Sequence, residues 1–243
     1  MKGPPTEGPY LLAIETATAY GSVALFAGDQ LLAATELRRQ QSHARLLMPM
    51  IEQLLDHLDL KPADLSGIGV SRGPGSYTGL RVGVSTAKGL CYALQKPLLS
   101  YSSLETLADR QAELAQRLQA RIIPMLDARR MEVYCAAYDA QGKELSPIRA
   151  QVVEADTFRA ELDPGRVIFC GDGAEKCREL LEVHPHALVL GQALPLAQDA
   201  GPRLFQRFQA EQFEDLTTFE PFYLKNFRAT KPKDPLRRGG HDS

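Results

Sequence analysis

The chain has 243 residues, 44% of them hydrophobic and 24% charged. That length buries a core without disulfide or metal staples, as one large domain or two small ones. Lys and Arg number 28 against 30 Asp and Glu, so the net charge of −2 excludes strong stand-alone nucleic-acid binding, which needs concentrated positive charge.

The first ten residues are rich in Gly and Pro and are expected to fray. The apolar run that follows is broken by Glu15, too early for a signal core or a membrane span. A soluble, cytoplasmic protein is expected. Residues 11–37 read as a β-meander, with turns at 15–21 and 28–29. A helix is predicted over 42–60 with Ser42 as N-cap, then a short buried strand over 68–70. The Gly-rich loop 71–79 leads into a second helix to about Leu94, followed by a strand over 97–100. Ser102 and Glu105 fit a capping box for a third helix to about Ala120.

A similar series then begins again. Residues 122–126 are apolar, 127–130 form a turn, and 132–138 read as a strand. A strand over 167–170, a Gly171-Asp172-Gly173 turn and a helix from about Ala174 follow. Each half opens with a hairpin whose turn carries a carboxylate, Glu15 or Asp127. The pattern fits two similar mixed-sheet α/β lobes, or one α/β domain with two unrelated hairpins. Gly201-Pro202 is expected to kink or split the segment 193–212. Residues 225–243 hold six Lys and Arg against two Asp, and the last fifteen are nearly devoid of apolar side chains. A solvated tail is expected there.

Common chemistries find few footholds. The loop 73–79 precedes a helix and offers backbone N–H groups to an anion, but it lacks the Gly-Lys-Ser/Thr of a Walker A loop. A tight strand-to-helix turn explains its glycines and is the favoured reading. The five histidines (His43, His57, His184, His186, His241) include no i,i+3 or i,i+4 pair, so no helix presents two imidazoles on one face. No G-x-S-x-G elbow is present. Cys91, Cys135, Cys170 and Cys177 form no C-x-x-C motif and read as reduced thiols.

The helices carry more information. In the first, Leu46, Leu47, Met50, Ile51, Leu54, Leu55 and Leu58 cover an arc of about 180°, wider than the roughly 100° that one core requires. In the second, Arg81, Ser85, Lys88, Tyr92 and Gln95 share a side expected to be wet. Gly79, Val82, Gly83, Thr86, Gly89 and Ala93 form a small-residue side. Three helical glycines cost about 1 kcal/mol each against Ala, so close approach of another backbone is expected to offset them. That backbone belongs either to the first helix or to a partner chain. The interface residues are then Leu46, Met50, Leu54, Gly79, Val82, Gly83, Thr86 and Gly89.

Three stretches, Leu12-Ala13-Ile14-Glu15-Thr16-Ala17-Thr18, GPGSYTGLRVG over 73–83 and Ala87-Lys88-Gly89-Leu90, closely resemble the TsaB (YeaZ) family. So do DARRMEVY over 127–134, Gly171-Asp172-Gly173-Ala174 and Pro221-Phe222-Tyr223-Leu224-Lys225. The resemblance runs in order over roughly residues 10–233. It implies the two-lobed actin/Hsp70/sugar-kinase (ASKHA) fold. The first lobe would span 1–103, with a helix near 193–215 packed back on it, and the second 104–228. A basic tail over 229–243 would follow.

The resemblance also implies a non-catalytic paralogue of TsaD, which transfers threonylcarbamoyl to the adenosine beside the tRNA anticodon. TsaD-like chains carry a His-x-x-x-His metal pair after the corresponding helix; here residues 98–105 contain no His. The implied partners are TsaD, the ATPase TsaE, and a second copy of the chain when alone, all meeting the first two helices or the assembly built on them. The tRNA is reached through the complex, with no membrane partner. No cofactor of its own is implied, although a nucleotide shared with partner subunits fits the scheme. The candidate residues for holding it would be Glu15, Asp127, Gly171 and Gly173. Two departures stand out: Glu15 replaces the usual Asp, and Ser42-His43 reverses the usual His-Ser order. The rival functions are a stand-alone ATP-dependent enzyme, a glycoprotease-like hydrolase of the same fold, or an RNA-binding module acting through the tail.

Overall fold

The computed structural model describes residues 8–38 and 43–224. The expected N-cap Ser42, residues 1–7 of the stretch expected to fray, and the basic tail lie outside those residues; Pro9 O of that stretch accepts from Gly28 N, and Tyr10 already opens the first strand. Five strands form the first sheet: β1 (Tyr10–Glu15), β2 (Gly21–Ala27), β3 (Gln30–Leu37), β4 (Leu65–Gly73) and β5 (Leu98–Ser102). Their order is β3-β2-β1-β4-β5. The pairs β1–β2 and β2–β3 are antiparallel, whereas β1–β4 and β4–β5 are parallel. The crossovers are α1 (His43–Asp56) and α2 (Tyr77–Leu94).

The second sheet repeats this plan. It contains β6 (Arg121–Asp127), β7 (Glu132–Tyr138), β8 (Glu144–Val152), β9 (Val167–Cys170) and β10 (Ala187–Leu190), in the order β8-β7-β6-β9-β10. Again the first three strands are antiparallel and the last two pairings parallel. Two sheets with one topology establish the duplicated α/β lobes of the ASKHA fold and set aside the single-domain alternative.

Hydrophobic alternation explains how each sheet is covered. Leu12, Ile14, Val23 and Leu25 pack with Leu47, Ile51 and Leu54 of α1 and Val84 and Cys91 of α2. Leu11, Ala13, Ala24 and Phe26 point to the other face and meet Leu204 of α8 (Gly201–Gln209). On the second sheet Ile122, Leu126 and Tyr138 receive Leu104, Leu107 and Ala108 of α3 (Ser103–Asp109). The helix that leaves the first sheet thus covers the second, and the helix that leaves the second covers the first.

Several expectations need correction. The first helix ends at Asp56, not 60. The third breaks after Asp109, where Gln111 N bonds back to Ala108 O at 2.9 Å, and resumes as α4 (Ala112–Leu118). Gly201-Pro202 opens α8 rather than splitting it, because proline in a first helical turn forfeits no hydrogen bond. Asp172 and Gly173 are not a free turn but begin α6 (Asp172–Lys176), with Gly171 as N-cap. The helices α5 (Arg159–Leu162) and α7 (Arg178–Leu181) complete the second lobe.

The capping box does form: Ser102 Oγ accepts from Leu104 N and Glu105 Oε2 from Ser102 N, both at 3.2 Å. Ser102→Ala is expected to lower stability by about 1 kcal/mol, read as a fall in thermal midpoint of a few degrees.

Residues 213–224 run back across the first lobe as a strap. Glu214 bridges the β5 edge at Leu98, and Phe219 enters the core beneath α2. Lys88 Nζ donates to Phe219 O at 3.1 Å, so this lysine is half-buried rather than wet. Phe222 N donates to Arg72 O at 2.8 Å, and the Tyr223 ring rests 4.9 Å from that of Tyr77.

Candidate functional site

The carboxyl ends of β1 and β6 face one another across a cleft of about 950 Å³. Residues 17–19 and 75–78 form one wall; residues 126–130, Glu132, Tyr134 and Asp172 form the other. Both walls are built alike. A hairpin turn follows the first strand of each sheet, and the helix after the fourth strand begins against it.

The two hairpin carboxylates fare differently. Glu15 is fully buried and does not line the cleft. Its Oε1 accepts from Ala17 N at 2.8 Å, its Oε2 accepts from Ser103 Oγ at 2.9 Å, and Ser71 Oγ lies 2.5 Å from Ser103 Oγ. Burial pushes the carboxyl up to about 7, with these hydrogen bonds pulling the other way. Asp127 is exposed in the cleft. Its Oδ1 accepts from Arg129 N at 2.7 Å, the counterpart of the Glu15–Ala17 bond, and pairs with Lys176 Nζ. Lys176 Nζ also donates to Glu132 O at 2.7 Å. Asp172 Oδ1 accepts from Asp127 N at 2.9 Å, and burial raises its pKa.

A metal-bound nucleotide gripped by both hairpins does not fit this arrangement. Glu15 has turned into the core, where its oxygens are satisfied by the protein, and no reaction step is derived through such a group. Gly171, at φ +111°, has no room for a Cβ, which would lie 2.1 Å from Met125 O, and a Cβ at Gly173 would lie 2.9 Å from the Met125–Leu126 backbone. Both glycines seat α6 on the end of β6. Among the described residues no three His, Cys, Asp or Glu side chains gather as a metal-ion site, and all four cysteines are buried and free.

The candidate interface residues separate into two groups. Met50 and Leu54 are buried in the chain's own core, and Leu46 is half-buried at its margin. Gly79 presses on the Thr16 backbone of the first hairpin and Gly83 on the Thr16 side chain, so the close neighbour at both positions belongs to the same chain. Val82 and Thr86 are half-buried, and Gly89 is exposed with nothing within 4 Å of where a Cβ would lie. One turn on, Tyr92 is 75% exposed, and on α1 Met48 is 38% exposed.

Sequence reasoning missed the ties of Lys176 and Asp172 to Asp127. Partners 45 and 49 residues apart leave no local signature. The recurrence of hairpin, strand and helix was the available signal, since it places 171–176 against 127 as it places 75–79 against 16.

Residues 35–241 match the family described as TsaD, tRNA N6-adenosine threonylcarbamoyltransferase. The tRNA threonylcarbamoyladenosine biosynthesis protein TsaB of Bacillus subtilis is 34% identical over 71% of this chain and 75% of its own. TsaB of Escherichia coli is 30% identical over 91% and 96% respectively. The solved structure of YeaZ from Pseudomonas aeruginosa superposes with a TM-score of 0.75 at 29% identity, covering 89% of this chain and all of that one. No helix among the described residues is long and apolar enough to cross a membrane. The chain belongs to the TsaB (YeaZ) family of tRNA threonylcarbamoyladenosine biosynthesis proteins, within the wider TsaD family.

Proposed function

We propose that this chain is a non-catalytic scaffold subunit of the tRNA threonylcarbamoyladenosine machinery, acting in the cytoplasm. It holds the catalytic TsaD-type subunit through the outer surface of α1 and α2 and assembles with the ATPase TsaE. A second copy takes the same surface when the chain is alone. The working lobes are 1–103 and 104–228, the tail beyond being accessory.

The observation that carries this reading is the outer strip of α2. Gly89 faces open space one turn before an exposed Tyr92, whereas the other two helical glycines are spent on internal packing. An uncovered glycine in mid-helix costs about 1 kcal/mol and is offset once another backbone seats on it. The buried Glu15 supports the non-catalytic part, since the first hairpin offers the cleft no carboxylate.

Val82→Arg and Gly89→Leu are expected to weaken co-purification with the cognate TsaD at least about tenfold, a loss of about 1.4 kcal/mol or more, with circular dichroism unchanged. Depletion of the chain should remove the modified nucleoside from tRNA. Formation of that nucleoside by the purified chain alone, from threonine, bicarbonate and ATP, would overturn the scaffold reading.

A further inference from the structure

The two sheets share no apolar core. Among the described residues, each hydrophobic cluster contains strands of one sheet only. Between the sheets lie α8, packed on the first, and α3, packed on the second. Two domains joined in this way owe their relative angle to polar contacts.

Three arginines carry those contacts, each with a carboxylate on the other lobe. Arg203 of α8 grips Asp109 of α3 as a fork: Nη2 donates to Oδ1 at 2.8 Å and Nε donates to Oδ2. Its Nη2 also donates at 3.2 Å to Gly142 O, in the turn between β7 and β8. One turn along α8, Arg207 Nη2 donates to Glu105 Oε2 of α3 at 3.2 Å, while its Nη1 donates to Ser100 O of the first sheet. The third pair has the opposite polarity. Arg110, just after α3, lies 3.7 Å from Asp199. That aspartate ends a short turn, Ala197–Asp199, which is tied to β2 by Ala197 N donating to Ser22 Oγ at 2.9 Å. All six side chains are at most 38% exposed, so their attraction is screened less than that of an open surface pair.

The place of these pairs matters. The β7–β8 turn that Arg203 reaches is at the opposite end of β7 from the β6–β7 turn that lines the cleft. Because α8 moves with the first lobe and α3 with the second, any rotation of one helix against the other moves the two cleft walls apart or together.

We propose that these ion pairs act as a clasp that fixes the opening of the cleft. With the clasp closed the lobes hold one angle. With its charges removed they swing about the two chain crossings while each lobe stays folded. An apolar seam would have to expose core to open, whereas a charged seam exchanges its pairs for hydration. The clasp is independent of the scaffold reading, since none of its residues lies on the outer strip of α2.

The test uses the full chain carrying nitroxide spin labels at Ala19→Cys and Arg130→Cys, exposed positions on facing walls of the cleft. The four native cysteines are buried, so a folded protein takes up two labels only. Pulsed electron spin resonance then gives the distribution of distances across the cleft. Arg203→Gln combined with Arg207→Gln is expected to broaden that distribution at least about twofold, with two labels still taken up. Asp109→Asn, which breaks the fork alone, should broaden it less. Arg159→Gln, which removes pairs to Asp156 and Asp163 inside the second lobe, should leave it as in wild type. An unchanged distribution in the double variant, or equal broadening by Arg159→Gln, would overturn the clasp. Should the double variant take up more than two labels, Asp109→Asn decides, and an unchanged distribution there overturns the proposal.

Discussion

Alanine at Gly79 is expected to destabilise the protein by more than about 3 kcal/mol, while alanine at Gly89 on the same helix stabilises it by up to about 1 kcal/mol. A Cβ at Gly79 would collide with the carbonyl oxygen of Thr16. Both groups are backbone, so no side-chain rotation relieves the overlap. Either the end of β1 or the start of α2 must move, in a core where Leu12, Ile14 and Leu80 are at most 1% exposed. Gly83 is held almost as tightly, by the Thr16 side chain, which makes Gly83→Leu a test of folding rather than of association. At Gly89 the added methyl meets nothing, and only the gain in helix propensity remains. Urea unfolding of the two variants reads the contrast directly, and shifts of the same sign would sink this account of the helix.

Glu15→Gln is expected to stabilise the protein at about pH 8.5, by as much as about 3 kcal/mol, and to leave it nearly unchanged near pH 4.5. The folded protein keeps the Glu15 proton up to about 7, whereas an ordinary glutamate releases it at 4.5. Between those values the native state binds more protons than the unfolded chain, so stability falls as pH rises, and the loss is complete above the folded value. Glutamine never ionises. Its Oε1 still accepts from Ala17 N, and its Nε2 donates where Ser103 Oγ donated before, the hydroxyl having a lone pair to accept. Urea midpoints taken across this pH range should converge for the two proteins at acid pH and diverge at alkaline pH. Parallel curves would mean that the carboxylate is not the group responsible.

Much of the fold was legible because its signals are local. Fully apolar runs gave β1, β2 and β6, and Ser102 with Glu105 marked the start of α3. The strands β8 and β10 were not. The first is an edge strand interrupted by Pro147, and the second has four residues, so neither shows a sustained period. Gly201-Pro202 read as a break because a local dipeptide does not reveal which side of it the helix lies on. The cleft was only half legible. Matching turns at 15–21 and 127–130 pointed to it, and Arg129 and Arg130 were visible as turn residues. That Glu15 turns inward while Asp127 stays in the cleft depends on Ser71 and Ser103, 56 and 88 residues away, and no window of sequence contains that fact. The small-residue face of α2 was read as one surface and serves two, because whether a glycine meets a neighbour is decided by tertiary packing.

The crossing of α3 and α8 sets the order in which the protein is able to finish folding. As the chain emerges from the ribosome, β1 to β5 are complete by residue 102. Leu11, Ala13, Ala24 and Phe26 nevertheless remain uncovered on one side until Leu204 arrives about a hundred residues later. Throughout that interval the nascent first lobe presents a bare apolar sheet to its surroundings, so chaperone demand should concentrate there until α8 covers the first lobe made.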